Sequence, residues 1–210
     1  MDAEFWDEMY GSRDQLFSGN PNGALVTEAA DLPPGQALDA GCGEGGDALW
    51  LARRGWQVTA VDISRTALER AAAASTDVAD RIVWTRADLT ATPPPARSFD
   101  LVSVQYFPLL RQPDHVAVRA LLDAVAPGGT LLFVSHDLAD LSSHHAGDRN
   151  HGHAFDPSDF YQPAEIAKLL GEDWAVLINE TRPRTAPAPE GARHVNDIVL
   201  RARRLPWYGR

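Results

Sequence analysis

From Asp39 the chain reads Asp39-Ala40-Gly41-Cys42-Gly43-Glu44-Gly45-Gly46-Asp47, a glycine-dense loop bracketed by carboxylates. Glycines at this density allow positive φ and close backbone approach to a ligand, beyond what a plain turn requires. Gly41, Gly43 and Gly46 also satisfy G-x-G-x-x-G, a spacing that is weak on its own. A pyrophosphate loop offers bare N–H groups to an anion. Here Asp39 and Glu44 flank the loop, which suits a ligand carrying positive charge. Further on, Ala60-Val61-Asp62-Ile63-Ser64 closes an apolar run with an acid placed to accept two ribose hydroxyls. S-adenosylmethionine (SAM), a nucleoside with a sulfonium and an ammonium group, meets both demands. NAD shares the ribose, so Asp62 alone selects a nucleoside and does not separate the two.

These residues need strand ends to hold them, and the hydrophobic pattern supplies them. Gln36–Ala40, Gln57–Val61, Arg81–Arg86, Phe99–Gln105 and Thr130–Ser135 read as strands. Helices are expected over Glu44–Arg54, from a Ser64 cap onward, over Asp114–Val125 and over Ala164–Leu170. Trp174–Glu180 and His194–Arg203 follow as strands with no helix between them. The prediction is an α/β fold, a Rossmann-like seven-stranded and mostly parallel sheet with a C-terminal antiparallel hairpin and helices on both faces. Ligands of such sheets bind beyond the carboxyl ends of the strands, where the chemistry-bearing residues fall.

The pattern Asp39-x-Gly41-Cys42-Gly43-x-Gly45 with Val61-Asp62-Ile63-Ser64 resembles the first two motifs of class I SAM-dependent methyltransferases. The stretch Gly43–Ser64, with Trp50-Leu51-Ala52 and Gly55-Trp56-x-Val58, is similar to their tellurite-resistance/thiopurine-methyltransferase-like branch. The resemblance implies that Asp39, Gly41, Cys42, Gly43, Asp62, Ile63 and Ser64 contact SAM. It also implies that Ala87 and Leu89 line an adenine slot and that Asp88 accepts the adenine amino group. Gln105 and Tyr106 would lie beneath the methionine part, although a buried aromatic there serves equally well as core. Phe5-Trp6-Asp7-Glu8-Met9-Tyr10 and Gly19-Asn20-Pro21-Asn22 resemble a segment that folds over the cofactor. Trp6 and Tyr10 share a helix face there, and Arg13 would pair the methionine carboxylate. The expected division is a covering segment over 1–35 and the methyltransferase domain over 36–210.

On the acceptor side, His136–Tyr161 is rich in histidine and aspartate, with His136, His144, His145, His151 and His153. A metal site, a substrate lid and a solvated loop all remain open there. The spacing matches no standard metal pattern, so no metal is assigned. His136 is the candidate general base, and His153, Tyr161 and Arg182 are candidate substrate contacts. Arg182-Pro183-Arg184 would suit an anionic acceptor, but arginines at a hairpin edge are usually just solvated.

Composition bounds the partners. Against 19 Lys+Arg stand 29 Asp+Glu, a net charge of −10, which disfavours nucleic acid and anionic membrane surfaces. The single Cys42 excludes an intramolecular disulfide. The acidic start and the lack of a long apolar stretch set a cytoplasmic expectation. The sequence therefore predicts methyl transfer to a small-molecule acceptor such as a thiol, chalcogen oxyanion, phenol or amine. The alternatives are a nucleotide-dependent oxidoreductase, for which no Tyr-x-x-x-Lys is found, and a SAM-binding sensor without turnover. Oligomeric state is not legible.

Overall fold

The computed structural model describes residues 1–137, 140, 159–185 and 195–206. Its elements run α1 (Ala3–Gly11), α2 (Gly23–Ala29), β1 (Gln36–Ala40), α3 (Gly46–Arg53), β2 (Gln57–Asp62), α4 (Arg65–Ala74), β3 (Ile82–Arg86), β4 (Phe99–Gln105), α5 (Val116–Ala124), β5 (Val125–His136), α6 (Pro163–Leu169), β6 (Trp174–Pro183) and β7 (Asn196–Arg204). The seven strands form one sheet in the order β3-β2-β1-β4-β5-β7-β6. β1 to β5 pair in parallel, while β7 is antiparallel to both β5 and β6. The direction of winding reverses between β1 and β4, which opens a crevice at their carboxyl ends.

Alternation along the strands builds a core on each face of the sheet. Ala37, Leu101 and Leu132 face Leu25 of α2, Leu51 of α3 and Leu68 of α4. Leu38, Val102 and Phe133 face Leu121 of α5 and Ile166 of α6. Each helix thus buries one apolar stripe, and the seven-stranded sheet with helices on both faces is as the sequence predicts.

Of the boundaries that differ from the sequence reading, three have a clear local reason. α3 begins at Gly46 and not at Glu44, because Gly45 adopts φ +86° and cannot extend the helix. α5 begins at Val116, because Asp114 and His115 take left-handed backbone with φ +59° and +56°. β5 begins at Val125, running through Pro127-Gly128-Gly129, and its register against β4 shifts between Phe99 and Leu101. A bulge absorbs the turn-like residues that the sequence alone marks as a break.

Candidate active site

The glycine loop leaves β1 and enters α3 with Gly41 at φ +73° and Gly43 at φ +51°. A Cβ on Gly41 would lie 2.6 Å from the Phe107 ring, and one on Gly43 2.7 Å from the Tyr10 hydroxyl. Backbone conformation and close approach both require glycine there. The Gly41 and Cys42 N–H groups donate to the Val61 carbonyl at 2.8 and 3.0 Å, which ties the loop to β2. At the end of β2, Asp62 accepts the Gly43 N–H through Oδ2 and the Ser64 N–H through Oδ1, both at 2.8 Å. Burial raises the Asp62 pKa, and these donors oppose the rise. Ser64 is fully buried and caps α4 by accepting the Ala67 N–H.

Asp39 is only 2% exposed. Its carboxylate takes the Ala48 backbone N–H, yet Oδ2 has no hydrogen-bond partner among the described residues. Burial, then the charges of Asp47 and Asp62, hold its pKa well above the usual carboxylate range. Burial also pushes Asp47 up to about 6, against two donors from Asn22. Three acids thus converge on one loop with an acceptor left over, a vacancy in hydrogen bonding that an ammonium group fits. Gln105 is buried beside Ser103, and its Oε1 is likewise without a partner among the described residues.

A cleft opens next to the loop, lined by Trp6, Gly41, Asp62, Ile63, Ala87, Asp88 and Leu89, with Phe107 and Pro108. The first seven are residues the sequence singled out, drawn here from four separate segments. Asp88 Oδ1 is taken by the Thr90 N–H and hydroxyl at 2.8 and 2.6 Å. A broader depression between Pro93-Pro94 and α5 lies away from this loop and shares none of its residues.

The N-terminal segment is pinned across the loop by three carboxylates. Asp7 accepts the Ser64 hydroxyl at 2.6 Å and the Thr66 N–H at 3.0 Å. Glu44 accepts the Leu16 and Phe17 N–H groups and pairs with Arg70 at 2.8 Å. Asp47 accepts the Asn22 N–H at 2.6 Å. Glu44 is therefore turned to the covering segment and does not flank a ligand, because two loop amides and a guanidinium claim its oxygens. Tyr10 is buried beneath, with Trp6 and Phe17 at centroid distances of 6.2 and 5.9 Å. The Arg13 side chain is exposed, and its carbonyl accepts from Arg70. Asp7 carries no signal in the sequence beyond being polar, whereas Asn22 ends the Gly19-Asn20-Pro21-Asn22 stretch.

At the acceptor end, Tyr106 stands in left-handed backbone with φ +53°. Its hydroxyl donates to Asp197 Oδ1 at 2.7 Å, its ring stacks on His136 at 4.4 Å, and the Arg184 guanidinium lies 5.0 Å from the ring centroid. Burial, then the Asp197 carboxylate, raises the Tyr106 pKa, so the phenol stays protonated. Asp197 is missed by sequence reasoning, since only the register of β7 against β5 brings it opposite His136. Tyr161 is 5% exposed, with its hydroxyl 2.6 Å from His115 Nδ1, and belongs to the core. Arg182 pairs with the buried Glu28 at 2.7 Å. Both side chains are engaged elsewhere and would have to leave those partners to hold an acceptor. His153 lies outside the described residues, as do His144, His145, His151 and His194.

Residues 37–129 match a family model described as a methyltransferase domain. Trans-aconitate 2-methyltransferase of Rhizobium meliloti (strain 1021) is 38% identical over 123 residues, 57% of this chain and 46% of that protein. The chain spans about half the length, or less, of the curated relatives it matches first. A structure solved for the conversion of a disulfide bond into a thioacetal group during echinomycin biosynthesis superposes with a TM-score of 0.70 at 25% identity, over 99% of this chain and 93% of the other. N-methyltransferase NodS from Bradyrhizobium japonicum WM9, bound to S-adenosyl-L-homocysteine (SAH), has the same fold, with a TM-score of 0.67 and 19% identity over 96% and 97% of the two chains. Over residues 37–129, and in the order of its sheet, the chain is thus similar to the SAM-dependent methyltransferases.

Proposed function

We propose that the protein transfers a methyl group from SAM to a small-molecule nucleophile, a thiol, chalcogen oxyanion, phenol or amine. The observation that carries this reading is Asp39, a buried carboxylate with one unsatisfied oxygen at the head of the glycine loop. Asp39 holds the ammonium group. Asp62, oriented by Gly43 and Ser64, receives the ribose hydroxyls. Ile63, Ala87 and Leu89 form the adenine slot, and Asp88 accepts from the amino group. Gln105 and Tyr106 lie under the methionine part, Arg13 meets its carboxylate, and Trp6 with Tyr10 excludes water from above. The bound cofactor supplies an electrophilic methyl whose in-line displacement neutralises the sulfonium charge.

Positioning does most of the rest, since two reactants held in line need little further help. His136, braced against Tyr106, takes the proton from an acceptor that must lose one. A thiolate or selenide needs no such step. Residues 1–35 act as the covering segment of a domain spanning 36–210. Within the class, the glycine loop through Ser64 supports the tellurite-resistance/thiopurine-methyltransferase-like branch. The net charge of −10 argues against a nucleic-acid acceptor, and a cytoplasmic location belongs to the same proposal. Among the described residues no helix is long and apolar enough to cross a membrane.

Isothermal titration with SAM, SAH and NAD tests the cofactor half, and a preference for NAD would reject it. Turnover of methyl-labelled SAM against thiols, chalcogen oxyanions, phenols and amines tests the acceptor half. Tight SAM binding with no labelled product from any of them would favour a sensor.

A further inference from the structure

One face of the C-terminal hairpin carries charge that methyl transfer as described leaves unused. The register sets His136, Asp197 and Arg182 side by side on β5, β7 and β6. Alternation along β7 puts Arg201 on the face of Asp197. Behind them the buried Glu28 of α2 lies 2.7 Å from Arg182 Nη2 and 3.3 Å from Arg201 Nη1. Arg184, just past β6, lies 3.9 Å from Asp197 Oδ1 through Nε. Three largely buried guanidinium groups therefore face two buried carboxylates, with the exposed Glu180 as a third at 3.5 Å from Arg182 Nη1, so the surplus of positive charge is confined to the buried groups.

The donors are in surplus as well. Arg182 Nη2, Arg184 Nε and Arg201 Nε are buried and make no hydrogen bond among the described residues. Arg182 Nη2 is close to Glu28 but off the hydrogen-bonding direction. Asp197 discharges Arg184 only in part, because it lies 3.9 Å away, its Oδ1 already accepts the Tyr106 hydroxyl and no hydrogen bond joins it to Nε. A guanidinium so placed, with its side chain 13% exposed, is costly unless an anion completes it. Arg182 and Arg201 are tied back to α2, whereas Arg184 lies over Tyr106, the strained residue that stacks on His136.

We propose that Arg184, beside Tyr106 and His136, binds a carboxylate at the acceptor end of the sheet. The planar fork of a guanidinium matches a carboxylate in a bidentate pair, which fixes orientation as well as charge. The inference rests on the methyltransferase reading above. Two molecules can bring that carboxylate, an anionic methyl acceptor or the amino-acid end of the cofactor itself.

Calorimetry on the full chain distinguishes them. Glutarate and benzoate are titrated into SAH-saturated wild type, R184Q and R184K, and SAH and a decarboxylated SAH analogue are titrated into each free protein. With an anionic acceptor, a carboxylate probe binds wild type saturably, weakens about tenfold in R184Q and less in R184K, and SAH affinity stays within about twofold. With the cofactor's carboxylate, R184Q weakens SAH about tenfold but leaves the decarboxylated analogue unchanged. The site is overturned if R184Q, shown folded by its thermal melt, binds the probes and SAH as wild type does. Failure of wild type to bind SAH overturns the methyltransferase reading, and this site with it.

Discussion

Asp39 is unfavourable to folding where it stands, and that is informative about its use. A buried carboxylate with a vacant oxygen, beside Asp47 and Asp62, destabilises the ligand-free protein. Asp39→Asn should therefore raise the melting temperature of the free protein while weakening SAM binding about 30-fold or more, the usual scale for losing one member of a buried charge pair. Differential scanning fluorimetry and calorimetric titration read the two effects, and a variant that is less stable yet binds normally would show Asp39 to be a structural acid. Tyr106 makes the opposite case, a strained backbone held by its side chain. Tyr106→Phe removes the hydrogen bond to Asp197 but keeps the ring on His136, and should cost about 1–2 kcal/mol in urea unfolding, partly because Asp197 is left short of a donor. A neutral result would mean that the Tyr106–Asp197 hydrogen bond adds nothing net to stability.

Within the N-terminal segment, α2 packs into the core through Leu25, whereas the stretch before it is tied down largely by carboxylates. Asp7 anchors α1 to the start of α4, Glu44 takes the two amides after it, and Asp47 takes Asn22. Asp7→Ala or Glu44→Ala should speed proteolysis between Trp6 and Asn22 several-fold, as local opening becomes less costly, with SAM restoring part of the protection. Unchanged cleavage in both variants would show that Trp6, Tyr10 and Phe17 hold the segment by packing alone. These tethers also mark the limit of sequence reading. β1 and β4 were legible to the residue because buried parallel strands are continuous apolar runs, and the Ser64 cap was legible because its partner is local. What was lost depends on distant partners. His115 is left-handed where its ring reaches Tyr161, Glu44 turns away from the ligand to reach Leu16, and Asp197 becomes a site residue only through register. The loop residues from Asp39 to Asp47 sit next to one another and announce themselves. Acceptor residues come from β4, β5, β7 and the end of β6, and no spacing connects them.

For the molecule as a whole, the loop acids should set how stability varies with pH. Asp39, Asp47 and Asp62 all have folded pKa values above their ordinary value of 3.8, with Asp47 near 6. The folded state then holds more protons than the unfolded state above pH 4, and their contribution is fully present below that value and lost as pH rises through the folded pKa. Asp7, Asp77 and Glu165 are lowered and act in the other sense, losing their contribution as pH falls, but they are mostly exposed and screened. The ligand-free protein should thus melt lower at pH 7.5 than at pH 5.5. SAM reverses the order, because its ammonium group binds the ionised form of Asp39. At a concentration about a hundred times its dissociation constant the cofactor adds about 2.7 kcal/mol, a rise of roughly 5–10 °C for a chain of this size. That rise should shrink as pH falls from 7.5 to 5.5 in wild type and be nearly flat in Asp39→Asn. Thermal melts at fixed ionic strength, with and without SAM, check both slopes, and a SAM-induced shift independent of pH would place the ammonium group away from Asp39.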